Sequence, residues 1–141
     1  MSADQVTPFL REVTRWAAAR ADLLALALVG SHARGAATET SDVDLVLITT
    51  EPQRYLRDTR WLQRFGEIIK HQYEDYGLVT SIRVWYRRGL EVEYGITDAR
   101  WAAMPLDAGT RRVIADGMRV LFERGELLSR HLSPGSLPST S

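Results

Sequence analysis

The chain has no cysteine among its 141 residues, which excludes disulfides, thiolate metal sites and cysteine nucleophiles. Neither sign of charge is in excess, because 18 Lys and Arg balance 18 Asp and Glu. A basic groove for nucleic acid and an acidic disordered segment are therefore not expected. Long apolar runs are missing as well. The longest, Leu23 to Val29, falls far short of the ~20 residues that span a bilayer. The first residues, MSADQVTPFLREV, lack the charged-then-apolar layout of a signal peptide. The expectation is a soluble, cytoplasmic protein with no membrane partner. Histidine is sparse, and His32, His71 and His131 share no ligand spacing, so a zinc site is not expected. The length suits one domain with a core of its own and is too short for two.

What is present reads as alternating helices and strands. Thr7 and Pro8 suit an N-cap and first helical position, and Phe9, Val13, Trp16 with Leu10, Ala17 recur at helical spacing, predicting a helix over 8–20. LLALALV, Leu23 to Val29, has the length of a strand buried on both faces. Residues 30–41 are small and polar and read as a loop or short helix, and Asp42 to Thr49 as a second strand. A helix is expected over 52–65, whereas 67–78 can be read either way. SIRVWY, the turn RRG and LEVEYGI form a hairpin in which Gly89 supplies the positive φ. With Tyr86 facing Leu90, one face is apolar and the other carries Arg83, Trp85, Glu91 and Glu93. Thr110 is a candidate cap for RRVIAD, MRVLFE a last strand, and ELLSRHL a short helix. The fold class expected is α/β (α+β), a mixed sheet with helices packed on it. One domain would cover 1–132, and SPGSLPSTS, residues 133–141, has the composition of a disordered tail.

The chemistry concentrates in GSHARGAATETSDVDL, residues 30–45. Asp42 and Asp44 stand two apart at a strand entry, so their side chains leave the same face. Two such carboxylates repel each other unless a cation lies between them. A hard divalent ion such as Mg²⁺ suits them, since it prefers one or two carboxylates plus substrate phosphates. Upstream, Gly30 allows close backbone approach to an anion, Ser31 offers an amide and a hydroxyl, and Arg34 adds a cation. A nucleoside triphosphate on the Gly-Ser turn, bridged to the Asp pair by magnesium, accounts for each of these residues.

Gly30-Ser31, a short loop and then Asp42-Val43-Asp44 opening a strand resemble the DNA polymerase β-like nucleotidyltransferase superfamily. The resemblance covers roughly residues 7–132 and is nearest to small bacterial nucleotidyltransferase-domain proteins, relatives of aminoglycoside nucleotidyltransferases and of minimal nucleotidyltransferase antitoxins. It implies a mixed sheet with helices, and transfer of a nucleoside monophosphate from a triphosphate (ATP among the candidates) to an acceptor. It further implies a third carboxylate on a neighbouring strand. Glu91 and Glu93 are the candidates, and the position of Glu93 is the more similar. Asp42, Asp44 and Glu93 would then hold two Mg²⁺ ions, one on the triphosphate and one lowering the pKa of the acceptor hydroxyl, with Glu93 as the alternative general base. Many relatives carry a further helical domain that forms the acceptor site. Without one, the acceptor, a small molecule or a protein, would be held by short loops and a second subunit of a homodimer, or would itself be a partner protein. The alternative is a weakly catalytic or non-catalytic nucleotide-binding module that masks a partner, as antitoxins of this superfamily do.

Overall fold

A computed structural model describes residues 5–38, 42–103 and 106–132. The predicted tail at 133–141 lies outside the described residues. Six strands form one mixed sheet in the order β3-β4-β5-β2-β1-β6. They are β1 (Leu23–Val29), β2 (Val43–Thr49), β3 (Ile68–Asp75), β4 (Thr80–Tyr86), β5 (Glu91–Thr97) and β6 (Met118–Glu123). All neighbours are antiparallel except β2 and β5, which run parallel. Helix α1 (Val6–Ala18), helix α2 (Pro52–Arg57) and helix α3 (Ala108–Asp116) pack on the sheet, with short 3₁₀ segments at Arg60–Phe65, Ala99–Ala102 and Ser129–His131.

The two central strands are apolar almost throughout because both faces of the sheet are covered. On one face Leu26, Leu28, Leu45, Leu47, Val92 and Tyr94 meet Phe9, Val13 and Trp16 of α1. Tyr55, Leu62 and Phe65 close that layer, and Trp16 stacks on Trp61 with centroids 5.1 Å apart. On the other face Ala25, Ala27, Val29, Val46 and Ile48 meet Trp101, Ala102, Met118 and Leu128. Alternation along the strands decides the rest. Since Val43, Leu45, Val92 and Tyr94 point to the α1 face, Asp44, Glu91 and Glu93 must point to the other.

Most predicted elements are present, and the differences have local causes. Helix α1 starts at Val6 with Gln5 before it and no side-chain cap, so Thr7 is not the cap. The helix expected over 52–65 breaks at Asp58, whose carboxylate bonds the Arg60 amide and guanidinium and resets the chain into a 3₁₀ turn. The two-way stretch is mainly strand β3, an edge strand with mostly exposed side chains, so no apolar alternation marked it. Asp107, and not Thr110, caps α3, its carboxylate accepting from the Gly109 and Thr110 amides. The hairpin register is as read, with Val84 opposite Val92 and Arg83 opposite Glu93.

One carboxylate ties the far ends of the central strands together. Asp22, just before β1, accepts from Thr49 Oγ1 at 3.0 Å and from Tyr55 Oη at 2.5 Å. Burial pushes its pKa up, but these bonds more than reverse that and the net shift is downward. Asp22→Ala should cost about 1–3 kcal/mol at pH 7, because the fully buried Thr49 hydroxyl loses its acceptor. The contribution is complete above the ordinary aspartate pKa and is lost as pH falls through the lowered one. Urea denaturation at pH 7 and near pH 2 checks this, and the gap between the two proteins should shrink at the lower pH.

Candidate active site

The antiparallel β1–β2 ladder sets Val29 opposite Asp44, so the residue that follows β1, Gly30, lies against the start of β2. The parallel β2–β5 ladder sets Asp44 opposite Glu93. Three strand ends thus meet on one side of the sheet: Gly30 follows β1, Asp42 and Asp44 stand at the entry to β2, and Glu93 comes from β5. Asp42, directly before β2, Asp44 and Glu93 each offer a carboxylate oxygen within 4.8 Å of the others, and all three are half-buried. Glu91 is not in this group. It instead accepts from Arg83 Nη1 at 2.8 Å.

Gly30 has φ +74°, and a Cβ there would run into Asp44 Oδ2. Only glycine combines that conformation with that proximity. The chain then turns tightly, with the Ala33 and Arg34 amides bonded to the Gly30 carbonyl and the Ala36 amide to that of Ser31. Ser31 is half-buried in this turn. Arg34 is exposed, and its side chain packs over Gly117 at the entry to β6. The turn and the three acids therefore lie together, and the stem of Arg34 lies against Gly117 in the α3–β6 connection.

Burial, followed by the nearby charges of Asp42 and Glu93, pushes the Asp44 carboxyl up to about 8. The site lacks positive charge at Asp44, and oxygen donors so placed fit a hard cation. Arg83 supplies charge to the others. Its guanidinium bonds Asp42 at 3.0 Å, Glu74 at 3.0 Å, Glu91 at 2.8 Å and Glu93 at 3.2 Å. Burial opposes its charge, but the bonds to Glu74 and Glu91 and the fields of Glu93 and Asp42 outweigh that and hold it well above the ordinary arginine value. The hairpin face legible in the sequence joins Arg83 with Glu91 and Glu93 only, because Asp42 and Glu74 reach Arg83 through the tertiary fold. Tyr76 was also missed. It follows the β3 edge strand, and its hydroxyl contacts Glu74 at 2.8 Å and Glu93 at 3.3 Å. Trp85, on the same hairpin face, is covered by Lys70, whose Nζ lies 4.5 Å from the ring centroid.

A cavity of about 420 Å³ adjoins the acids, with Asp44, Glu93 and Tyr76 in its lining. Its walls come from β2, β4, β5, the segment after β3, Trp101 and the first turns of α3.

A stability signature follows from Asp44. Its folded pKa is raised, so the protein should lose stability as pH climbs from the ordinary aspartate range through about 8. Without added divalent ions, Asp44→Asn should therefore raise Tm relative to wild type more at pH 8.5 than at pH 5. Scanning calorimetry at the two pH values tests it, and an equal Tm difference at both would contradict the raised value.

No curated protein matches the chain in sequence. Among solved structures, an aminoglycoside 6-adenyltransferase from Bacillus subtilis has a similar fold, with TM-score 0.55 at 16% identity, covering 72% of this chain. The chain spans 37% of the length of that structure. The family model of streptomycin adenylyltransferase matches residues 5–87, which include the Gly30-Ser31 turn, Asp42 and Asp44 and stop short of Glu93. That match covers more than half of the chain, which belongs to the streptomycin adenylyltransferase family.

Proposed function

We propose that this protein transfers a nucleoside monophosphate from a nucleoside triphosphate to a hydroxyl acceptor, with Mg²⁺ held by Asp42, Asp44 and Glu93. Family membership supports nucleotidyl transfer in general. The observation that carries the finer reading is the convergence of Asp42, Asp44 and Glu93 beside a glycine turn that leaves room at Asp44. Bound there, Mg²⁺ would neutralise triphosphate charge and lower the pKa of the acceptor hydroxyl.

The protein's own groups divide the remaining work. Gly30 and Ser31 present backbone and hydroxyl to the phosphates, with no Cβ in the way. Asp42 and Asp44 orient the triphosphate end. Glu93, on the neighbouring strand, faces the acceptor and takes its proton, while Tyr76 and Arg83 fix the carboxylate by donating to Oε1. Arg83 also balances the surrounding acids, so the site stays assembled before substrate arrives.

Binding of ATP or GTP should be weak without Mg²⁺, and Gly30→Val should abolish it, because a side chain there enters the space of Asp44. Calorimetric titration with and without the ion measures both, and unchanged affinity in folded Gly30→Val would remove the phosphate role of the turn.

The two glutamates should behave differently. Glu93→Gln should lower transfer by at least ~10²-fold while retaining triphosphate binding, as expected when a general base is lost. Glu91→Gln should be mild, since Glu91 serves Arg83 and stands outside the cluster. Incubation of each variant with labelled triphosphate, Mg²⁺ and cell extract ranks them, and a dead Glu91 variant beside an active Glu93 variant would reverse the assignment.

A further inference from the structure

The cavity beside the acids has a composition that restricts what it can hold. On the sheet face carrying Asp44 and Glu93, β4 and β5 contribute the small residues Ser81 and Gly95 to its lining, and Val79 packs closely over Gly95. Val46, Leu78, Val79, Trp101 and Val113 give it apolar walls. At about 420 Å³ it is within the ordinary range for small-molecule sites.

Two further features describe the occupant. Thr110 is among the residues that line the cavity, is only 1% exposed, and its buried hydroxyl has no hydrogen-bond partner among the described residues. A buried hydroxyl left unpaired is costly, and a ligand atom would satisfy it. Among the described residues the charges of the lining are Asp44, Glu93 and Asp107, with no Lys, Arg or His. An anion would meet repulsion on entering. A polyhydroxylated sugar would strand most of its hydroxyls against apolar walls, each at a desolvation cost.

Resting on the transfer reading above, we infer that this cavity is the acceptor pocket and that it takes a compact, mostly apolar alcohol bearing no negative charge. A molecule in the cavity lies against Asp44 and Glu93, where the chemistry would occur. Its hydroxyl oxygen bonds to the α-phosphorus as the bond from that phosphorus to the pyrophosphate oxygen breaks. The hydroxyl proton passes to the Glu93 carboxylate, and pyrophosphate carries away the electron pair. Thr110 engages a polar atom elsewhere on the acceptor, which makes it a specificity residue.

The test uses the full chain and three probes, 6-(hydroxymethyl)-2-naphthol, whose second hydroxyl can meet Thr110, 6-hydroxy-2-naphthoate and sucrose, followed by ¹H–¹⁵N NMR. The alcohol should shift the Trp101 indole and Thr110 amide signals saturably, naphthoate should bind at least about tenfold more weakly, and sucrose should not bind. Val113→Phe, which fills the cavity, should weaken the alcohol by at least about tenfold without changing Mg²⁺–ATP binding. Thr110→Val, nearly isosteric and hence safe for folding, should weaken the alcohol about three- to tenfold, the loss of one hydrogen bond. Absent saturation, equal binding of naphthoate, or undiminished binding in both variants would overturn the pocket, even where Mg²⁺–ATP binds normally. If ATP alone shifts the same signals and displaces the alcohol, the cavity holds the nucleobase and the inference is wrong. Alcohol binding in a protein that never binds Mg²⁺–ATP would defeat the transfer reading and the acceptor role with it.

Discussion

Between β2 and β5 the ladder runs parallel, and its register from Val43↔Val92 to Ile48↔Thr97 fixes which acids can meet. Slipping that ladder by one residue would turn Glu93 toward the α1 face and bring Val92 or Tyr94 among the carboxylates. The slip is prevented by what lies on the α1 face, where Leu45, Leu47, Val92 and Tyr94 share one core with Phe9 and Trp16. Tyr94 is also anchored by its hydroxyl, 2.8 Å from that of Tyr86, which bonds the Leu62 carbonyl. Apolar packing on one face thus holds charges in place on the other.

Those charges would otherwise push apart. Asp42, Asp44, Glu74, Glu91 and Glu93 crowd one side of the sheet, and Arg83 is bonded to all of them except Asp44. A guanidinium suits this task because its planar donors can serve several carboxylates at once, which a single ammonium does less well. Asp44 makes no ion pair with the arginine, is itself half-buried, and is where positive charge is still wanted. That unevenness distinguishes the site from an ordinary ion-pair network.

Cover on the second sheet face is also uneven. Near β1 and β6, Ala25 and Ala27 let Trp101 and Leu128 pack tightly, and the layer closes. Toward β4 and β5, Ser81 and Gly95 are as small, and there the lining of the cavity also includes Leu78, Val79, Trp101 and the start of α3. Tyr76, after β3, is the exposed aromatic ring of its lining.

The sequence alone determined the parts whose physics is local. Strands β1 and β2 were legible as continuous apolar runs, the hairpin from its glycine turn and alternation, and the Gly30-Ser31 and Asp42-Asp44 pairs from spacing alone. It could not fully separate Glu91 from Glu93, since both share a face and only the parallel partner strand says which one sits opposite Asp44. Nor could it show that Arg83 collects four carboxylates, that Thr110 lies unpaired in a cavity while Asp107 does the capping, or that Arg34 turns toward Gly117. Helices and hairpins follow from neighbours along the chain. The third acid, its counter-ion and the pocket arise from residues tens of positions apart, and only the packed sheet brings them within reach.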